Sequence, residues 1–271
     1  MLLQSWADAL RANNASPATV TVRLAAMHAL MVHAGVTDPL RITRLDVVGF
    51  LARPRAQWTK VTYWRSIRSW CRFCTDFDIV IPDLLRGIES PTSPDPAARP
   101  IGDETVRRLL EAPLTFRAKA YVRLALFCGL RVHEIAKIRA EDFDFEARWL
   151  RVTGKGAQTK SVPVHRKILE LADQMPEMGY WFPSHSDAAG HVSARAVSET
   201  IGAALRSVGS MATAHQLRDT AATRVQRQHR DIRVTQAFLR HKNVTTTQKY
   251  TEVSNEDLRS AVDDLDWGDA A

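Results

Sequence analysis

Six side chains beyond residue 130 are suited to chemistry: Arg131, Lys155, His215, Arg218, His241 and Tyr250. Arg131 follows the apolar run RLALFCGL, where another hydrophobic residue would be the default. Lys155 lies between two glycines in VTGKG. His215 and Arg218, in AHQLRDT, are three apart and so share a helix face. Tyr250 stands nine residues after His241, and its neighbours Gln248, Lys249, Thr251 and Glu252 give it no apolar face to join. Each has an ordinary explanation alone: a helix-end arginine, a turn lysine, a core histidine, a surface ion pair, a surface tyrosine. As a set they suit phosphoryl transfer. Two planar, permanently charged guanidiniums can hold the nonbridging oxygens of a phosphodiester and stabilise the charge that grows in its pentacoordinate transition state. A tyrosine can attack phosphorus if a neighbour takes its proton, leaving a phosphotyrosine that keeps the bond energy. A lysine can protonate the departing oxygen. None of these roles needs a metal, so no cofactor is expected.

The rest of the sequence must position that set. Its 271 residues are enough for two domains, each with its own core. The excess of 37 Lys+Arg over 30 Asp+Glu, net +7, favours a polyanionic partner, with nucleic acid ahead of a membrane surface. No signal peptide is recognisable and no apolar run reaches the roughly 18 residues of a membrane span, so a cytoplasmic, reducing compartment is expected. Three cysteines are too few for a disulfide framework. The C-x-x-C pair Cys71/Cys74 lies in a helix-like stretch without a second ligand pair, which favours buried thiols over zinc or redox use. The acidic run EDFDFE (141–146) lacks the glycine and spacing of a calcium loop and reads as a solvated approach to a strand.

Four prolines in the eleven residues SPTSPDPAARP mark an extended joint, so we expect a helical domain over 1–90, a linker over 91–100 and a second domain over 101–271. Before the joint the pattern is helical throughout. Ser16-Pro17 supplies a cap and a first-turn proline, Gly35 a stop, and Thr43 with Asp46 a capping box. A longer helix is expected from about Trp58 to Thr75. Between Asp46 and Asp76 there is no acid but six cations: Arg53, Arg55, Lys60, Arg65, Arg68 and Arg72. A solvated face would explain some of them; phosphate contacts explain the set better. After the joint, Asp103 is expected to cap a helix, Thr115 to begin another, and a third to start near Arg131. Trp149–Thr153 and Ser161–Val164 form a hairpin, and helices follow over 165–175, 193–208, 213–227, 232–240, 246–251 and 256–265.

GLRVHEI, VTGKG, HQLRDT and LRH with Tyr250 nine residues on, in this order, resemble the signatures of the tyrosine recombinases, the phage-integrase family; YWFPS (180–184) is also similar to a family segment. The resemblance implies a mainly α fold: an all-helical core-binding domain and an α+β catalytic domain with a small antiparallel sheet. By position, Arg131 and Arg218 would be the phosphate-binding arginines and Lys155 the hairpin lysine that assists the leaving 5′-hydroxyl. His215 would handle the nucleophile's proton, His241 would contact the phosphate, and Tyr250 would be the nucleophile. Glu134 matches an acid that supports the site. This chain departs from the family pattern at Asp219, where histidine is usual, at Ala221, often aromatic, and at Arg240, usually glycine.

The implied activity is site-specific recombination of double-stranded DNA at inverted half-sites. It would involve a protomer that is monomeric when free and tetrameric on DNA, with accessory DNA-bending or directionality proteins as further partners. Residues 255–271 would be a helix that docks on a neighbouring protomer. A compact integrase without an arm-binding domain is expected, acting in the cytoplasm of a bacterium or phage-infected host at the nucleoid. The alternatives are a Xer-type dimer resolvase, a type IB topoisomerase-like enzyme, against which the short helical first half argues, and a DNA-binding protein with a relic site.

Overall fold

The computed structural model describes residues 1–93, 98–154, 159–184 and 190–240. The chain divides into two compact units, Met1–Asp95 and Pro96–Ala271, so the division falls inside the proline-rich stretch.

The first unit contains α1 (Leu2–Ala12), α2 (Pro17–Ala34), a 3-10 turn (Pro39–Arg41), α3 (Arg44–Ala52) and α4 (Gln57–Asp76). Local chemistry sets its boundaries. Ser16 Oγ accepts from the Thr19 amide at 3.2 Å ahead of Pro17, and α2 stops at Gly35 with φ +68°. At α3 the Asp46 amide donates to Thr43 Oγ1 (3.3 Å) and the Thr43 amide to Asp46 Oδ2 (2.8 Å), a reciprocal capping box. The helices bury Trp6, Met27, Leu30, Phe50, Ile67 and Trp70 in one core. Trp6 meets Trp70 edge to face with ring centroids 5.5 Å apart.

The second unit runs α5 (Asp103–Glu111), α6 (Phe116–Cys128), α7 (Val132–Ile135), a 3-10 turn (Ala140–Asp142), β1 (Phe143–Asp144), β2 (Trp149–Thr153), β3 (Thr159–Pro163), α8 (Arg166–Ala172), α9 (Ala194–Ser207), α10 (Ala214–His229) and α11 (Ile232–Leu239). The core forms around α6, which is apolar on nearly every side and buries eight residues. The helix α10 packs on α6 and α11, and α7 packs on α9. The antiparallel sheet has the order β1-β2-β3, with Leu150 opposite Val162 and Val152 opposite Lys160. Leu150 and Val152 point into the core while Trp149, Arg151 and Thr153 point out, as a half-buried strand requires.

Three expectations need correction. Gly102 is the N-cap of α5, so Asp103 occupies the first turn, where a carboxylate favours the positive end of the helix dipole, and it takes Arg224 Nη1 at 3.2 Å. The helix after Arg131 is a single turn. The chain leaves it to pair with the YWFPS segment: the Trp181 amide donates to the Ile138 carbonyl (2.9 Å) and the Ala140 amide to the Gly179 carbonyl (2.8 Å). The acidic run is partly structural, since Phe143–Asp144 adds a third strand and Phe143 stacks on Trp181 with ring centroids 4.0 Å apart. The helices expected over 246–251 and 256–265 lie outside the described residues.

Candidate active site

The site is built where α6 ends. Gly129 closes that helix with φ +58°, in the left-handed region glycine favours, and turns the chain so that Arg131 becomes the N-cap of α7. Glu134 then reaches back. Its Oε2 accepts the Arg131 amide at 2.7 Å and its Oε1 accepts Arg131 Nη1 at 3.1 Å. The Glu134 carboxylate is almost wholly buried, whereas the Arg131 guanidinium remains 36% exposed. One end of Arg131 is therefore fixed and the other is available to a ligand.

Arg218 comes from the first turns of α10 and is 1% exposed. Its Nη1 donates to the Gly129 carbonyl and its Nη2 to the Leu239 carbonyl, at 2.6 Å. A buried guanidinium is costly unless its donors are satisfied; here the carbonyls ending α6 and α11 satisfy two of them. His215, one turn earlier on α10, is 64% exposed and has Nε2 3.8 Å from Oδ1 of the buried Asp219. Arg131, His133, His215 and Arg218 line one open pocket of about 290 Å³, with Ser198 and Thr213 on its wall. Lys155, His241 and Tyr250 lie outside the described residues.

Two further side chains, to which the sequence assigned no role, enter the site. Arg240 caps α11 with φ +57°, and its side chain is only 5% exposed. Its Nη2 lies 2.7 Å from Glu134 Oε2 and 3.4 Å from the Gly129 carbonyl oxygen. The arginine in place of the family's usual glycine was the available signal. Lys160 of β3 reaches the Arg240 carbonyl with its Nζ at 3.5 Å. Its place in the hairpin strand gave no signal at all.

The electrostatics follow from burial and pairing. Burial alone would raise the Glu134 pKa; the Arg240 charge, the Arg131 amide and the charges of Arg218 and Arg131 outweigh it and hold the carboxyl below its usual range. Burial pushes the His133 pKa down, with Glu134 partly offsetting it. Glu134 is thus an anion that neutralises part of the cationic cluster.

The acid-free cations belong to the first unit. Arg53 ends α3, Arg55 lies between α3 and α4, and Lys60 is half-buried on α4. Arg65, Arg68 and Arg72, spaced along one face of α4, line an open cleft of about 830 Å³ together with Arg23 of α2. Arg65 Nη2 donates to Ser93 Oγ at 3.1 Å, Arg68 lies over the Trp64 ring at 5.3 Å, and Arg72 pairs with Asp76 at 3.5 Å. Only one of these three cations has a carboxylate partner among the described residues, and it is exposed. Replacing Arg65 and Arg68 with alanine is expected to weaken DNA binding and reduce the slope of log K against log salt by roughly one unit per lost phosphate contact. Affinity titrations across a salt series check this; an unchanged slope would return this face to ordinary solvation. In the same helix, burial pushes the Cys71 and Cys74 thiols up to about 11, which leaves both protonated and poor nucleophiles near neutrality. Among the described residues no helix is long and apolar enough to cross a membrane.

Residues 101–257 match the model of the phage integrase family. The tyrosine recombinase XerC of Neisseria meningitidis serogroup C (strain ATCC 700532 / DSM 15464 / FAM18) is 30% identical over 142 residues, 50% of this chain and 45% of XerC. XerD of Listeria innocua serovar 6a is 25% identical over 151 residues, 52% of this chain and 51% of XerD. The chain thus spans about half the length of the curated relatives it matches. Among solved structures, the integrase from mycobacterium phage Brujita is 32% identical with a TM-score of 0.53, covering 98% of this chain and 92% of that one. A lambda integrase (75–356) dimer bound to a COC' core site has a TM-score of 0.72, covering 90% of this chain and 95% of that one; at 16% identity it speaks for the fold alone. With the family match spanning more than half of its length, the chain belongs to the phage integrase family of tyrosine recombinases.

Proposed function

We propose that this protein is a site-specific DNA recombinase that cuts and rejoins double-stranded DNA through a covalent 3′-phosphotyrosine. The observation that carries this is the convergence of Arg131 and Arg218, from two separate elements, on one pocket that His215 also lines. A scissile phosphodiester there would place its nonbridging oxygens against two guanidiniums whose orientation is fixed before DNA arrives. Tyr250 attacks phosphorus, with His215 taking up its proton. The bond from phosphorus to the 5′ oxygen breaks, and Lys155 protonates that oxygen as it leaves. His241 contacts the phosphate. Attack by a 5′-hydroxyl on the phosphotyrosine reverses the sequence, so rejoining needs no ATP.

Four protomers on two duplexes would exchange one strand pair through a four-way junction and then the other, in the cytoplasm, with each protomer monomeric when free. The helical unit with Arg53, Arg55, Lys60, Arg65, Arg68 and Arg72 would hold the core DNA as residues 101–271 act on it. Integration and excision of phage-type DNA is the favoured role, since the Brujita phage integrase matches over nearly its whole length. Dimer resolution is the second reading, favoured by the XerC and XerD matches.

A duplex nicked near the scissile phosphate traps the intermediate. The protein is expected to form a denaturation-resistant adduct with this substrate in the presence of a chelator. Lys155→Ala should slow that step by about 100-fold or more and recover when the 5′ leaving oxygen is replaced by sulfur, which leaves without a proton. No adduct, or an adduct that requires magnesium, would overturn the reading.

A further inference from the structure

Arg240 occupies a backbone conformation that disfavours it. At φ +57° an L-side chain crowds its own backbone, and glycine would be free of that strain. Its guanidinium is nevertheless drawn inside, with Nη2 on the Glu134 carboxylate at 2.7 Å and near the Gly129 carbonyl at 3.4 Å, and with Nη1 on the Phe238 carbonyl at 3.3 Å. The same Glu134 carboxylate holds both the amide and the guanidinium of Arg131. Arg218 shares the Gly129 carbonyl and takes that of Leu239, the residue before Arg240. The end of α11 is therefore fastened to the turn between α6 and α7 through buried, charge-assisted contacts, and His241 is the next residue in the sequence.

We propose that Arg240 is a positioning residue: its buried pair with Glu134 latches the end of α11, from which the chain leads to His241 and Tyr250, to the turn that presents Arg131. This rests on the recombinase reading for its consequence, since the latch sets where the nucleophile-bearing segment departs relative to the bound phosphate. A pair so enclosed has a defined geometry, and loss of Arg240 leaves the buried Glu134 carboxylate paired with Arg131 and removes its tie to the end of α11. A small displacement of a reacting group is enough to slow an in-line attack severely.

The test compares Arg240→Gly, which relieves the backbone strain but removes the latch, with Arg240→Lys, which retains the charge. In single-turnover adduct formation on nicked duplex at saturating DNA, Arg240→Gly is expected to react roughly 10- to 100-fold more slowly. Its DNA affinity should stay within about two-fold of wild type, because phosphate contacts elsewhere dominate binding. Arg240→Lys should recover most of the rate. Hydrogen exchange of peptides from α11 supplies a readout independent of chemistry: exchange should quicken in Arg240→Gly and return toward wild type in Arg240→Lys. Should Arg240→Gly fail to fold, Arg240→Gln, which keeps a donor and loses the charge, carries both measurements. A wild-type cleavage rate with unchanged α11 exchange would overturn the latch, as would parallel loss of binding and cleavage. Failure of the recombinase reading looks different: wild-type protein forms no adduct, and the exchange difference is still read by itself.

Discussion

Tyr250→Phe is expected to bind DNA with nearly unchanged affinity and to form no covalent adduct at all. The substitution removes one hydroxyl and leaves every cation in place. Affinity of a protein with net charge +7 for DNA is dominated by lysine and arginine contacts to phosphate, so the Kd should stay within about two-fold. Cleavage has no such reserve. On the proposed reading Arg131 and Arg218 hold the phosphodiester and stabilise its transition state, but a guanidinium cannot attack phosphorus in the tyrosine's place. Binding is measured by a mobility shift on intact duplex and cleavage on the nicked duplex under denaturing conditions. An adduct from Tyr250→Phe would place the nucleophile elsewhere and remove the basis for the assignment around His241.

Gly129→Ala should be strongly destabilising to the second unit. A Cβ at this position would lie 2.7 Å from Cε1 and 2.9 Å from Cζ of Phe238, well inside contact distance. The backbone also holds φ +58°, which costs an L-residue about 1–2 kcal/mol. Overpacking against the ring adds about 1–3 kcal/mol. A combined loss of roughly 2–5 kcal/mol of unfolding free energy is expected, visible as a lower Tm and an earlier denaturant midpoint. Because the Gly129 carbonyl receives Arg218 and Arg240, adduct formation should fall even at temperatures where the variant is folded. A variant with wild-type stability would mean that Phe238 moves aside at little cost.

Much of this architecture could be read from local chemistry. Ser16-Pro17, Thr43 with Asp46, and the alternation in WLRVT each specify an element through contacts within a few residues. What escaped depends on distant partners. The length of α7 is set by pairing of Ile138–Ala140 with Gly179–Trp181, some forty residues away, and β1 exists because Phe143 and Asp144 find Leu150 and Trp149. The same division holds at the site. Arg131 stood out because it follows an apolar run, and His215 and Arg218 because their spacing of three puts them on one helix face. That Arg218 is held by two backbone carbonyls could not be seen in sequence, since any residue supplies a carbonyl. Arg240 was visible as a departure from a family glycine. Its burial against Glu134 was not, because the sequence separation of 106 residues carries no local trace.

The carboxyl end of α6 has a further consequence. Peptide dipoles along a helix sum to a partial negative charge at its last carbonyls, and Gly129, the residue that caps α6, offers its carbonyl to two of the three arginines gathered there. In the absence of DNA these cations would repel one another and have no phosphate to hold them. The end of the helix and the Glu134 carboxylate together serve as a built-in counter-ion. On the proposed reading, the protein thus carries its own stand-in for a phosphate's charge, and the three arginines are gathered, partly neutralised, before any nucleic acid is bound.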